Sequence, residues 1–201
     1  MNDAVLIMNW FTPDYGEMVE LTRARHQRYC DKWGWDLQLN DQTGTPSTTG
    51  VKCFNDIHYI KQAIAQGYKY IVSSDVDVMI WDFDKDLREA CIDARGVRFD
   101  AMRVKHVNIG VMYFQDCDLT RQFIREWELL ASVRKDSQFG AQNAFNILTA
   151  KHNIPPLDPT WNYCYTQHKG IDKPAVRGYH DLIGFHHKLA TMKADLKECG
   201  G

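Results

Sequence analysis

The sequence predicts a single α/β domain, Rossmann-like, with a mixed, mostly parallel sheet flanked by helices. Segments of strand and helix character alternate along the 201 residues, and no internal repeat or linker interrupts them. That length suits one domain with a sizeable core, whereas two domains would be cramped. We therefore predict one domain over residues 1–201, with a less regular C-terminal part from about residue 154.

The periodicity of apolar residues places the elements along the chain. Continuous apolar runs and alternating patterns indicate strands, whereas apolar residues three and four apart indicate helices. Gly34 and Gly67 end the first two helices. In chain order the prediction is a strand at 5–9, a helix at 13–33, a strand at 35–39, a loop at 40–50, a helix at 54–66, a strand at 68–73, a short helix at 87–94, strands at 99–103 and 110–114, and helices at 119–130 and 139–148.

Composition excludes several classes of partner. The formal net charge of -2 gives no global attraction for nucleic acid or an anionic membrane, so no nucleic-acid partner is expected. No apolar run approaches the roughly 18 residues of a membrane span, and the apolar start at residues 5–8 is not a signal peptide. The six cysteines have neither zinc-site nor disulfide-framework spacing. These features predict a cytoplasmic protein.

Two aspartates, Asp75 and Asp77, follow the apolar strand and carry the main functional signal. Ligands of open α/β sheets gather outside the carboxyl ends of the strands. Unpaired carboxylates among apolar neighbours are costly to bury, and Mn²⁺ or Mg²⁺ would remove that cost while bridging them to a diphosphate. Two alternatives stay open: aspartates that only cap the next element, and a haloacid-dehalogenase-type phosphatase with Asp75 as nucleophile.

Four further segments resemble, in order, motifs of retaining glycosyltransferases with the GT-A fold. Residues 107–112 (VNIGVM) are similar to an Asn-x-Gly strand, 141–146 (AQNAFN) to an Asp-Gln-Asp-x-Leu-Asn helix, 161–163 (WNY) to a Trp-Asn-Tyr turn, and 187–193 (HKLATMK) to a C-terminal His-x-x-Gly-x-x-Lys. The sequence thus resembles glycosyltransferase family eight and its galactosyl- and mannosyltransferase relatives over most of its length.

This resemblance implies a metal-dependent glycosyltransferase. Such an enzyme moves a sugar from a UDP- or GDP-linked donor to a hydroxyl of an acceptor, with retention at the anomeric carbon. The acceptor would be a glycan or another hydroxyl compound. The resemblance assigns roles to six residues: Asp75, Asp77 and His187 on Mn²⁺ or Mg²⁺, Asp75 and Lys193 at the donor diphosphate, and Asn108 and Gln142 at the sugar.

The loop after the first strand is expected to hold the nucleoside, with Trp10, Phe11 or Tyr15 stacked on the base. Two positions depart from the family pattern, because Ala141 stands where the family has Asp and Ala190 where it has Gly. These departures leave a second hypothesis open, namely a noncatalytic protein that binds sugar nucleotides.

Two expectations concern the surroundings of the predicted metal ligands. Asp77→Asn should abolish Mn²⁺-dependent donor binding, and it should leave the stability of the metal-free protein unchanged or raised because a buried anion is removed. His186 and His187 are adjacent, so on a strand they would face opposite sides.

Overall fold

The computed structural model describes residues 2–10, 13–43, 49–92, 97–102, 106–133, 140–164, 170–179, 182 and 184–198. The strands are β1 (Ala4–Trp10), β2 (Asp36–Asp41), β3 (Tyr70–Asp75), β4 (Val78–Ile80), β5 (Val97–Met102), β6 (His106–Gln115), β7 (Tyr163–Cys164) and β8 (Val176–Gly178). The helices are α1 (Gly16–Trp33), α2 (Thr49–Ala65), α3 (Arg88–Ile92), α4 (Asp118–Ser132), α5 (Gly140–Lys151) and α6 (Phe185–Glu198).

The main sheet has five strands in the order β2-β1-β3-β6-β5. Strand β1 pairs in parallel with β2 and with β3, whereas β6 pairs antiparallel with β3 and with β5. Four strands therefore run in one direction and β6 alone runs in the other. This arrangement confirms the predicted mixed, mostly parallel sheet.

Alternate residues of the strands bury two apolar layers, one on each face of the sheet. On the first face, Val5, Ile7 and Ile71 belong to a core that includes Ile60 of α2, Phe123 of α4 and Phe145 of α5. On the second face, Leu6, Val72 and Tyr113 belong to a core with Tyr29 of α1 and Ala90 of α3. Helices thus flank both faces, as predicted.

Helix α1 fixes the chain that follows β4. It ends at Gly34, whose φ of 67° lies in the left-handed region that favours glycine. From the body of the helix, Arg25 donates to the carbonyls of Ile80 and Trp81, the latter at 2.8 Å. Trp33 donates through Nε1 to the carbonyl of Phe83 at 2.9 Å. The predicted helix and its glycine stop are therefore confirmed.

A second, smaller sheet brings the C-terminal part of the chain against the segment after β3. Its strand order is β4-β8-β7, with Val78 opposite Gly178 and Ile80 opposite Val176. The chain then forms helix α6, which buries Leu189 and Met192. His186 and His187 both lie on this helix rather than on a strand, so the opposite facing expected of strand neighbours does not apply to them.

Four cysteines within the described ranges are free thiols: Cys30, Cys91, Cys117 and Cys164. Burial raises the pKa of the Cys30 thiol to about 12, with smaller contributions from the charges of Asp31 and Asp36. Among the helices of the described residues, none combines the length and the apolar character that crossing a membrane requires.

Candidate functional site

A cavity of about 250 Å³ opens at the carboxyl edge of the main sheet. In the strand register, Asn9 near the end of β1 lies beside Asp75, the last residue of β3. The described residues that line the cavity are Asn9, Trp10, Tyr15, Asp75, Val76, Asp77 and Lys188. The structure therefore brings together two of the three predicted metal ligands and two of the three predicted nucleoside-binding aromatics at the edge where ligands of such sheets bind.

Asp75 and Asp77 lie on the two sides of the turn between β3 and β4. Asp75 is partly exposed at the end of its strand, whereas Asp77 is 7% exposed. The backbone oxygen of Asp77 accepts a hydrogen bond from the backbone N–H of Tyr179 at 2.9 Å. The small sheet thus holds the turn in place, and both side chains border the same cavity.

Lys188 of α6 completes the charged part of the cavity, and sequence reasoning did not single it out. Its Nζ donates to Oδ2 of Asp77 at 2.5 Å, and the two side chains are only 14% and 9% exposed. Burial acts to lower the pKa of Lys188, but the charge and hydrogen bond of Asp77, with Tyr15 and Asp75, outweigh it and raise that pKa. Lys188 is therefore a cation at neutral pH, and it neutralises Asp77.

Helix α6 is anchored by a second buried network. Oδ2 of Asp195 accepts from Nη1 of Arg177 and from the hydroxyl of Tyr179, each at 2.6 Å. At the other end of the helix, the ring of Phe185 stacks on Tyr15 with centroids 5.3 Å apart. Since Tyr179 also binds the backbone of Asp77, the same few residues position the helix and the aspartate turn.

His187 and Lys193, the other predicted residues of α6, lie elsewhere on its surface. His187 is exposed, and Lys193 pairs with Glu17 of α1, with both of those side chains largely in solvent. The described part of the chain contains no cluster of three or more His, Cys, Asp or Glu that could hold a metal ion. The structure therefore does not join His187 to Asp75 and Asp77, and it places Lys188 rather than Lys193 at the cavity.

Asn108 and Gln142, predicted at the sugar, lie on two elements that pack together. Asn108 in β6 is 8% exposed, and its Oδ1 accepts from the N–H of Gly110 at 2.6 Å. Gln142 is partly buried in the first turn of α5, beside Ala141, whose carbonyl accepts from Trp127. Neither Asn108 nor Gln142 is among the described residues that line the cavity, so their roles stay predictions.

The aromatic residues predicted for the nucleoside divide into two groups. Trp10 and Tyr15 line the cavity and are partly exposed, which leaves ring surface for a ligand. Phe11 lies outside the described residues. Trp161, in the turn that resembles the family's Trp-Asn-Tyr, packs on Tyr113, and its carbonyl accepts from the Tyr113 hydroxyl at 2.6 Å.

Several polar side chains are buried in the sheet and on α2. Asn9 donates to Oγ of Ser73 at 3.2 Å and accepts from Asn40 at 2.9 Å. On α2, Asp56 is 4% exposed, and its Oδ1 has no hydrogen-bond partner in the described part of the chain. Burial raises the pKa of Asp56 to about 8. The amides of the sheet are therefore paired with one another and with Ser73, whereas the Asp56 carboxyl on α2 favours its protonated form at neutral pH.

The chemistry of the cavity fits a hard divalent cation. Asp75 and Asp77 offer carboxylate oxygens, which Mn²⁺ and Mg²⁺ prefer, and the cavity beside them leaves room for ligand oxygens and water. The nearby ammonium of Lys188 suits an anionic group such as a diphosphate. The arrangement thus matches a cation and a phosphate-bearing ligand bound side by side.

Comparisons with known proteins identify the fold. No protein-family description matches the sequence, and no curated protein matches it. The structure is similar to that of a glycosyltransferase involved in glycosylation of the major capsid of PBCV-1, with a TM-score of 0.70 and 12% identity over 94% of this chain and 99% of that one. It is also similar to the galactosyltransferase LgtC in complex with donor and acceptor sugar analogs, with a TM-score of 0.57 and 12% identity over 98% and 95%. The chain therefore has the GT-A-type glycosyltransferase fold that its motifs predict.

Proposed function

We propose that the protein is a glycosyltransferase that moves a sugar from a UDP- or GDP-linked donor to an acceptor hydroxyl. One observation carries this proposal: Asp75, Asp77 and Lys188 line a single cavity at the carboxyl edge of a sheet with a glycosyltransferase fold. The LgtC structure was solved with donor and acceptor sugar analogs, which supports the same pair of ligand classes here. The acceptor is a glycan or another hydroxyl compound.

In the proposed site, Asp75 and Asp77 hold Mn²⁺ or Mg²⁺. A bound divalent cation stabilises the negative charge that develops on a departing diphosphate. Lys188 binds the diphosphate as a point charge. We assign this role to Lys188 instead of Lys193, because Lys188 lines the cavity whereas Lys193 pairs with Glu17.

The remaining roles follow the sequence predictions. Trp10 and Tyr15 contact the nucleoside, since both line the cavity, and Phe11 is retained from the sequence alone. Asn108 and Gln142 contact the sugar, and both side chains can donate and accept hydrogen bonds to hydroxyls. Retention at the anomeric carbon rests on the family resemblance. It is tested by determining the anomeric configuration of the sugar that is first released from the donor.

Two histidines are alternative candidates for a third metal ligand, and each is tested by substitution. His187 is the predicted one and is exposed on α6. His180, which follows Tyr179 in the sequence, lies outside the described residues, and we include it because the N–H of Tyr179 binds Asp77. His187→Ala and His180→Ala are compared by Mn²⁺ titration in the presence of UDP. A ligand's loss weakens metal binding at least about tenfold, and no change excludes that histidine.

Donor binding is measured by calorimetric titration of a panel of UDP- and GDP-sugars with Mn²⁺ and, separately, with EDTA. We expect binding that needs the metal and is lost in Asp75→Asn. The matched control is Asp84→Asn, since the Asp84 side chain is 90% exposed and pairs with Lys32, and neither is among the described residues that line the cavity. Metal-independent binding, or equal binding by Asp75→Asn, contradicts the metal assignment.

Turnover separates an enzyme from a noncatalytic sugar-nucleotide-binding protein. Ala141 favours the second candidate, because it is 2% exposed within the apolar core and offers no carboxylate to a sugar. An enzyme releases nucleoside diphosphate from its donor, and NMR of the freed sugar reports retention. Tight Mn²⁺-dependent binding without release of nucleoside diphosphate from any donor supports the noncatalytic protein.

The phosphatase alternative makes a different prediction. A phosphatase with Asp75 as nucleophile releases phosphate from simple aryl phosphates and loses this activity in Asp75→Asn. The fold similarity to glycosyltransferases supports sugar transfer instead. The cytoplasmic location remains a prediction from the cysteine pattern, and fractionation of cells that express the protein tests it.

A further inference from the structure

The ammonium of Lys188 lies beside the Asp77 carboxylate, where a metal ion held by that carboxylate would also lie. Its ammonium is 2.5 Å from Oδ2 of Asp77, within a cavity that Asp75 also lines. Both partners are nine-tenths or nearly nine-tenths buried, so water screens their attraction only weakly. A metal ion that approaches Asp77 must therefore compete with a cation already bound there.

The lysine is presented to Asp77 by ordered structure. Asp195, two helical turns further along α6, binds Arg177 and Tyr179 of the segment that pairs with β4. Phe185, in the first turn of α6, stacks on Tyr15 at the other side of the cavity. The backbone of α6 is thus fixed, while the long side chain of Lys188 leaves its ammonium free to change partners.

We propose that Lys188 makes the site selective for a complex of metal and nucleoside diphosphate over the metal alone. This inference rests on the proposed function. A metal ion by itself displaces the ammonium from Asp77 and leaves two positive charges close together in a partly buried cavity. A nucleoside diphosphate supplies anionic oxygens for Lys188, so that the lysine and the metal both have partners. Donor and metal then bind cooperatively.

The expected size of the effect follows from the influence of a neighbouring charge on a carboxylate. An opposite charge within about 4–6 Å changes the proton affinity of a carboxylate by roughly ten- to a thousandfold. The same attraction between a carboxylate and a neighbouring positive charge opposes the binding of a metal ion to that carboxylate. Removal of the Lys188 charge should therefore strengthen binding of Mn²⁺ alone by about tenfold or more.

The test is an electron paramagnetic resonance titration of free Mn²⁺, first without nucleotide and then with saturating UDP or GDP. Lys188→Met removes the charge and keeps an unbranched side chain, whereas Lys188→Arg keeps the charge. Lys197→Met is the matched control, because Lys197 is exposed in the last turn of the same helix.

We expect Lys188→Met to bind Mn²⁺ alone about tenfold more tightly than the wild type. We also expect this variant to lose the increase in Mn²⁺ affinity that UDP or GDP gives to the wild type. Lys188→Arg and Lys197→Met should resemble the wild type. The proposal is overturned if Lys188→Met binds Mn²⁺ alone no more tightly than the wild type does. It is also overturned if Lys188→Arg, which keeps the charge, binds Mn²⁺ alone as tightly as Lys188→Met does. If Lys188→Met does not fold, Lys188→Gln, which can still hydrogen-bond Asp77 without a charge, takes its place with the same expectations.

Failure of the proposed function gives a different result. If the wild type binds neither UDP nor GDP with Mn²⁺, donor binding at this site is refuted. The titration without nucleotide then still decides whether Lys188 competes with the metal. Tighter Mn²⁺ binding by Lys188→Met supports that competition, and unchanged binding overturns it.

Discussion

The buried ion pair between Asp77 and Lys188 makes a sharp prediction for the stability of the metal-free protein. Asp77→Asn leaves the Lys188 ammonium without its carboxylate at a position where its side chain is 14% exposed. Removing one partner of a buried pair costs about 3–5 kcal/mol. Since the lysine can extend partly into solvent, we expect a loss of about 2 kcal/mol. For a chain of this size, that loss lowers the melting temperature by roughly 4–8 °C.

A double-mutant cycle isolates the interaction. Lys188→Met removes the ammonium from the Asp77 carboxylate and should cost about 3 kcal/mol, whereas the double variant removes both charges and should lie within about 1 kcal/mol of the wild type. The coupling energy between the two charges is thus about 4 kcal/mol. The measurement is urea denaturation followed by circular dichroism, in EDTA at pH 7.

The exposed pair of Lys32 and Asp84 is the control. Its atoms are 2.7 Å apart, but the side chains are 44% and 90% exposed, so Asp84→Asn should cost less than about 1 kcal/mol. Sequence reasoning predicts the opposite sign for Asp77→Asn, namely unchanged or raised stability. If Asp77→Asn is as stable as the wild type, the ion pair does not stabilise the fold and that earlier expectation is right.

Substitutions at three further positions test the fold and a buried carboxyl by urea denaturation. Trp127→Phe removes a buried donor to the carbonyl of Ala141 at 2.9 Å and should cost about 1–3 kcal/mol; no loss would show that water replaces the bond. Gly34→Val should cost at least about 1 kcal/mol, because φ is 67° there, and Gly34→Asn should cost less. Asp56 has a pKa raised to about 8, so its contribution to stability is present below about pH 4 and lost as pH rises to about 8. Asp56→Asn should flatten that slope and stabilise the protein at pH 7 by up to about 4 kcal/mol; an unchanged slope would refute this.

Local patterns were sufficient to predict the main sheet and its helices. Strands β1 and β3 are continuous apolar runs, and the apolar spacing of α1 and its end at Gly34 are properties of neighbouring residues. The position of Asp75 at the end of β3 also followed from the strand pattern, because ligand sites collect at that edge. Each of these features is determined by the order of residues within one segment, so it can be read without knowledge of distant contacts.

The small sheet and the partner of Asp77 depend on distant contacts. Strands β4 and β8 have three residues each and pair across about a hundred residues, and Asp77 and Lys188 are 111 residues apart. No local period can predict such pairings. A helical signal did exist in α6, where Leu189, Met192 and Leu196 recur at intervals of three and four.

The departure at Ala141 has a structural explanation. Ala141 is 2% exposed in the core of the first face, together with Ala144 and Phe145. An aspartate there would bury a charge among apolar side chains, at a cost of several kcal/mol. Ala141 is therefore part of the packing between α5 and β6, and under the proposed function the contacts to the sugar come from other residues.

The charges at the cavity come from two distant parts of the chain, and this explains the role of the C-terminal part. Asp75 and Asp77 come with β3, but the cation that faces them reaches the cavity only because β8 pairs with β4 and Asp195 fixes α6. Without this part, Asp77 would face the cavity without Lys188. With it, Asp77 is paired with an ammonium, and under the proposal made above a metal ion competes with Lys188 unless an anionic ligand binds the lysine. On that proposal, the small sheet and α6 set the ligand selectivity of the two aspartates.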